Sequence, residues 1–143
     1  MNVVIAGHKR SGSTAQYNMV RLVLGAAYGE VYIWGSKTPT MAGVNLVKRH
    51  AYSIELHSLS DVVFTTSRDL KDAYRSLERI TGRKDKIDLE SLHKWMFDSV
   101  HMEYEDIVLN PLKCIKRIIK VLGVDVDPYK ILEQFEDIKP PRS

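Results

Sequence analysis

The chain has 143 residues, 44% of them apolar and 27% charged, with 8 Gly and 5 Pro. That is enough material for one packed core, read here as a single domain over residues 1–143, and it excludes disorder or a collagen-like repeat. A formal charge of +3 is far from the basic stripe of a dedicated nucleic-acid binder, and a lone cysteine, Cys114, excludes an internal disulfide. No stretch approaches the roughly 20 apolar residues of a membrane span and the start lacks a basic leader segment, so a soluble cytoplasmic protein is expected, with no membrane or nucleic-acid partner.

Val3–Ala6 is a short continuous apolar run, which reads as a buried strand. Gly7 to Ser13 then carries glycine, hydroxyls and cations. From Thr14 the pattern turns helical, with Met19, Val20, Val23, Leu24 and Ala27 at three- and four-residue steps and Gly29 as the stop. Val31–Trp34 reads as a second strand, Gly35–Gly43 as a loop and Val44–Lys48 as a third strand. Asp61–Ser67, rich in β-branched and aromatic residues, reads as the fourth.

A helix is predicted from Asp69 to Ile80, with Leu70, Ala73, Tyr74, Leu77 and Ile80 on its inner face. Asp88 caps a further helix carrying Leu89, Leu92, Trp95 and Met96, and Val100–Tyr104 reads as a last strand. Asn110-Pro111 starts an amphipathic helix, Asn as its cap and Pro in its first turn, closed by Gly123. Asp127-Pro128 repeats that signal for a short helix before Lys139-Pro140-Pro141-Arg142-Ser143. Strands alternating with helices predict an α/β fold. It is a small three-layer domain with a central, mostly parallel sheet and a phosphate-binding strand–loop–helix of the P-loop type.

In such sheets ligands bind beyond the carboxyl ends of the strands. Three polar segments fall there: Gly7–Thr14, Lys48–His50 and Ser67–Ser76. Two glycines in Gly7-His8-Lys9-Arg10-Ser11-Gly12-Ser13-Thr14 let successive N–H groups converge on an anion at a helix N-terminus. An ATP-binding loop needs lysine directly after the second glycine, and this chain has Ser13 there. A small-molecule kinase with a variant loop remains one alternative; a non-catalytic nucleotide-binding module is another.

Lys9-Arg10-Ser11-Gly12-Ser13-Thr14 resembles the 5′-phosphosulfate loop of the sulfotransferase superfamily. Arg68, Asp69 and Ser76 resemble that family's 3′-phosphate element. Met102-Glu103-Tyr104-Glu105-Asp106-Ile107-Val108-Leu109-Asn110-Pro111, followed by Leu122-Gly123, resembles its "YEDL…P…LG" segment, and Lys48-Arg49-His50 its Lys-x-His at a strand end. The resemblance implies that 3′-phosphoadenosine 5′-phosphosulfate donates a sulfuryl group to a hydroxyl or amine of a small-molecule or glycan acceptor, with no metal. It implies that Lys9, Arg10, Ser11, Gly12, Ser13 and Thr14 hold the 5′ end and that Arg68 and Ser76 hold the 3′-phosphate. His50 would take the acceptor's proton while Lys48 and Arg10 stabilise charge on the leaving oxygen; His57 is the alternative base.

Lys48 and His50, two apart on a strand, are expected to face one side and Arg49 the other. Ser76 reaches the ligand of Arg68 only if the chain turns at Asp69. The chain departs from the family at Ala15, where cytosolic members carry an adenine-stacking tryptophan. The stretch between Ser76 and Glu103 is also short, and the late Arg-Lys-Gly segment is missing. Whether a homodimer completes the acceptor side is open at this level.

Overall fold

The computed structural model describes residues 1–35 and 37–138; Ser36 and the closing Lys139–Ser143 stretch lie outside the described residues. Five strands form one sheet: β1 (Asn2–Ile5), β2 (Tyr32–Trp34), β3 (Asn45–Lys48), β4 (Val62–Ser67) and β5 (Val100–Glu103). Their order is β2-β3-β1-β4-β5, and every pairing is parallel. Among the described residues seven helices flank or follow them. These are α1 (Ser13–Tyr28), α2 (Ile54–Leu59), α3 (Leu70–Thr81), α4 (Leu89–Trp95), α5 (Tyr104–Leu109), α6 (Pro111–Leu122) and α7 (Pro128–Asp137). None is long and apolar enough to cross a membrane.

The all-apolar reading of β1 has a direct cause. Successive strand side chains point to opposite faces, and here both faces are covered. Val3 and Ile5 join a core with Leu46, Phe64 and residues of α1, α6 and α7. Val4 and Ala6 join Val47, Val63, Leu56 of α2 and Trp95 of α4 on the other side. These are the three layers. β1 is also where the strand order reverses, because β3 lies on one side of it and β4 on the other. A crevice outside its carboxyl end follows from that topology.

The strand and long-helix expectations hold to within one or two residues. Asp69 turns the chain as expected: its side chain accepts from the Asp72 N–H and starts α3. Asp88 and Asp127 likewise cap α4 and α7. Two expectations fail. Asn110 makes no side-chain cap bond; Pro111, which has no N–H to satisfy, starts α6 alone. The inner face of α3 is Ala73, Ser76 and Leu77, whereas Leu70, Tyr74 and Ile80 are exposed. Ala73 and Leu77, expected inward, pack with Ile87, and Ser76, bonded to Arg10, joins them on the buried face.

Gly7 ends β1 under the Thr66 side chain. A Cβ at Gly7 would lie 1.8 Å from Thr66 Oγ1, closer than any real contact. Gly7→Ala is therefore expected to cost about 1–3 kcal/mol of stability, the range for overpacking, measured by urea unfolding. Parental stability in that variant would mean that Thr66 does not occupy this position.

Candidate functional site

The loop after β1 is built to leave its amides open. Arg10 (φ 60°) and Gly12 (φ 90°) both take left-handed backbone, which turns the chain back on itself. α1 then begins without a side-chain cap and without an acidic residue in its first turn. The Gln16 N–H closes the first turn on the Gly12 carbonyl. From Lys9 to Thr14 no backbone N–H has a partner among the described residues. A concavity of N–H groups at the positive end of a helix is an anion site by construction.

Side-chain bonds hold that loop to the sheet. The fully buried Ser11 donates to the His8 carbonyl, and its Oγ lies 2.6 Å from Thr66 Oγ1. Its hydroxyl is thus committed inward, and only its backbone faces the concavity. His8 is 3% exposed and structural. Its Nδ1 donates to the Lys9 carbonyl (2.7 Å) and its Nε2 accepts from the Arg68 N–H (3.2 Å). Lys9 is exposed and Ser13 buried at the helix start.

The end of β3 contributes the next group. Lys48 Nζ donates to Thr14 Oγ1, and His50 Nδ1 donates to the Gly7 carbonyl. Arg49 turns instead to the Gly35 carbonyl. A carbonyl accepts only, so this bond places the His50 proton on Nδ1 and leaves Nε2 with a lone pair and no partner among the described residues. Burial, followed by the neighbouring cations Lys48 and Lys9 and by His8, holds the His50 imidazole below its ordinary pKa, against the opposing pull of the Gly7 carbonyl. Trp95 donates to the His50 carbonyl. His57, the alternative base, is engaged with the Tyr52 hydroxyl at 2.7 Å and packs edge-on against it.

The β4–α3 junction contributes the third. Arg10 Nε donates to Ser76 Oγ at 2.8 Å, across 66 positions of chain. Arg68 NH1 donates to the Arg10 carbonyl at 3.3 Å. Its guanidinium carbon lies 3.9 Å from the centroid of the Tyr104 ring, a cation–π contact. The same ring packs against Gly12, where an added Cβ would meet Tyr104 Cδ2 at 3.2 Å. Tyr104 therefore packs against both the loop and Arg68, a placement that sequence reasoning missed. Arg68 Nε is buried without a partner.

Lys9–Thr14, Lys48, His50, Arg68 and Ser76 are thus brought to one end of the sheet. The electrostatics are one-sided. Burial and then Arg68 lower the Arg10 pKa; burial and then Arg10 lower that of Lys48. The hydrogen bonds give the same order: Lys48 reaches the loop at Thr14 and Arg68 reaches it at the Arg10 carbonyl. Among the described residues none of the three is ion-paired: the salt bridges join Arg83 to Asp85, Lys94 to Glu90 and His101 to Glu103. No group of three or more His, Cys, Asp or Glu among the described residues is placed to hold a metal ion. Cys114 is buried in α6, with its thiol pKa raised by that burial, and takes no part.

Beside the loop opens a cavity of about 330 Å³ lined by Ala15, Asn18, Ile107, Val108, Pro111, Phe135, Glu136 and Ile138. Ile107 also touches the Gly12 position, so this mostly apolar space adjoins the anion site. Phe135 of α7 supplies its aromatic ring, and nothing in the local pattern around Ala15 points to it.

No family model matches the sequence, and no curated protein sequence matches it. Solved structures do match the fold. Mouse sulfotransferase SULT7A1, complexed with PAP, has a TM-score of 0.68 at 12% identity. The match covers 94% of this chain and 63% of that one. Retinol dehydratase in complex with androsterone and the inactive cofactor PAP matches at 0.65 and 14% identity, over 94% of this chain and 63% of that one. The same enzyme with retinol and PAP matches at 0.65 and 14%, over 96% and 64%. The chain thus spans less than two thirds of the length of these proteins. At such identities the likeness speaks for the fold, and with its five parallel strands, its reversal at β1 and its glycine loop this chain has the sulfotransferase fold.

Proposed function

We propose that this chain binds 3′-phosphoadenosine 5′-phosphosulfate and transfers its sulfuryl group to a hydroxyl or amine of a small-molecule or glycan acceptor. The observation that carries the reading is the row Lys48–Arg10–Arg68, unpaired by any carboxylate among the described residues and continuous with the open amides of Lys9–Thr14. One anion satisfies a P-loop nest. A row of cations reaching from the nest to Ser76 suits a ligand with two separated phosphates. PAP in the similar solved structures, taken as adenosine 3′,5′-bisphosphate, is such a ligand.

The parts then divide as follows. The amides of Lys9–Thr14 and Lys48 take the 5′ group, and Arg68 and Ser76, with Arg10 hydrogen-bonded to Ser76, take the 3′-phosphate. Arg suits phosphate because its planar fork matches two oxygens at once. The cavity at Ala15 and Phe135 accepts the base, its apolar lining offering the surface and Asn18 a polar edge. Phe135 thereby offers from α7 an aromatic surface that Ala15 does not supply.

In the transfer, the acceptor oxygen bonds to sulfur as the bond from sulfur to the bridging 5′-phosphate oxygen breaks. The acceptor proton goes to His50 Nε2, and the electron pair of the broken bond stays on the 5′-phosphate. Lys48 and, from the middle of the row, Arg10 stabilise the charge that grows there. His50 suits the task because its Nδ1–H is tied to Gly7 and its surroundings keep it neutral. The kinase reading lacks support, since Ser13 stands where a triphosphate loop needs lysine.

Calorimetry with adenosine 3′,5′-bisphosphate tests the binding. Arg68→Ala is expected to weaken it by about 1.5–3 kcal/mol, the value of a charged hydrogen bond; no binding by the parent at millimolar ligand would overturn the reading. His50→Ala is expected to keep bisphosphate affinity and lose about 10²–10⁴ of the transfer rate. A variant that turns over like the parent would instead make the chain a binding module. Because the base form is the active one and the His50 pKa lies below its ordinary 6.5, kcat/KM should be flat across neutral pH. It should fall only as pH drops below that ordinary value; a midpoint at or above it would remove His50 from the role.

A further inference from the structure

His8 is buried at 3% exposure between two strand ends, and its ring bonds have opposite polarity. The Lys9 carbonyl can only accept, so Nδ1 carries a proton; the Arg68 N–H can only donate, so Nε2 carries none. Both bonds hold together in one state alone, the neutral Nδ1–H tautomer. One of them fixes the loop that presents the open amides. The other, across 60 positions of chain, fixes the backbone from which the Arg68 guanidinium projects.

We propose that His8 is a positioning residue that couples the phosphate loop to Arg68, and that the coupling exists only while its imidazole is neutral. As a site for a doubly phosphorylated nucleoside this rests on the functional reading above; the coupling itself does not. A proton on Nε2 would set two donors, that N–H and the Arg68 N–H, against each other in a buried space. The charged groups facing the ring are cationic or become so: Arg68 from β4–α3, His101 from β5 and His50 from the end of β3. No carboxylate among them offsets a positive ring. Burial is the larger cause; together with these charges it outweighs the opposing bonds to the Lys9 and Arg68 backbone, and the pKa of His8 is lowered. The sign follows: the coupling is complete above the ordinary histidine pKa of about 6.5 and is lost as pH falls through the lowered value. Below it the two phosphate-binding halves are no longer held in register.

The test has two arms on the full chain. In the first, amide hydrogen exchange at Arg68 is followed without ligand from pH 7.5 to 5, corrected for the intrinsic pH dependence, in the parent and in His8→Gln. Glutamine keeps one donor and one acceptor and does not titrate. Protection at Arg68 is expected to fall on acidification in the parent and to stay level in His8→Gln. Equal profiles overturn the proposal. In the second arm, bisphosphate affinity is measured at both ends of that range. His8→Gln should bind within about threefold of the parent at pH 7.5 and lose at least roughly tenfold less affinity on acidification, tenfold corresponding to about 1.4 kcal/mol. His8→Leu should bind weakly at both. Protonation of the ligand's phosphates is common to parent and variant and cancels in the comparison; the exchange arm, run without ligand, reports on His8 at the Arg68 amide itself. His8→Leu binding like the parent also overturns the proposal. If no bisphosphate binds to any form, the functional reading falls and the exchange arm still decides the role of His8.

Discussion

Three cations brought to one loop, none of them in a salt bridge among the described residues, are what the rest of the molecule has to support. Lys48, Arg10 and Arg68 come from three separate strand ends, each partly withdrawn from water and each raising the cost of its neighbour's charge. A surface lysine or arginine relaxes such repulsion by swinging away. These do not, because each is tied: Lys48 to the Thr14 hydroxyl, Arg10 to Ser76, Arg68 to the Arg10 carbonyl and the Tyr104 ring. A hydrogen bond with a charged donor is worth about 1.5–3 kcal/mol net, and each of the three cations makes at least one. The packed sheet beneath, with Val3, Val4, Ile5 and Phe64 fully buried, makes the strand ends stay where they are.

The polar residues of β4 show how the sheet transmits that rigidity. Thr65 and Thr66 are both fully buried and, being adjacent on a strand, face opposite sides. Thr66 holds Ser11 and shelters Gly7, fixing the loop on one face. Thr65 meets Ser99 and His101 on the other, and Ser67 meets His101 and Glu103. The donors order themselves. Ser67 gives its proton to Glu103, so it accepts from His101 Nε2–H, and His101 Nδ1 accepts from Thr65. This chain of bonds ties the edge strand β5, and with it Tyr104, to the strand that carries Arg68. Loop, arginine and aromatic wall are therefore cross-linked through one strand.

Much of this was legible in the residues. A strand buried on both faces reads as an unbroken apolar run, so β1 stood out, and β4 stood out by its β-branched and aromatic residues. The period of two that set Lys48 and His50 against Arg49 was enough to anticipate their turning to the loop while Arg49 turned to Gly35. Two short helices were not legible. α2 and α5 have one fully buried side chain each, Leu56 and Ile107, and six residues give too little period to read. The rotation of α3 was illegible for a different reason. Its inward Ser76 is placed by a bond to Arg10, and a pattern of apolar spacing does not register a serine as core. His8 and Tyr104 were missed because their partners are a backbone amide, a glycine and a guanidinium, contacts that leave no spacing signal.

The two histidines also bear on which imidazole can act as a base. His8 and His50 each donate from Nδ1 to a carbonyl of the loop, Lys9 and Gly7 respectively. In His8 the remaining nitrogen is consumed by the Arg68 amide; in His50 it is left over. His57 has a tyrosine hydroxyl on Nδ1 and sits in an aromatic cluster with Tyr52 and Trp95, with no bond to the loop. A base serving a group bound in the loop gains most from being referenced to the loop itself, since any shift of the bound phosphate then carries the base with it. The Gly7 carbonyl provides that reference, and Gly7 has no freedom of its own under Thr66. The tight packing of Gly7 against Thr66 thus bears on where the unpartnered Nε2 of His50 is held, the atom that the proposed transfer uses.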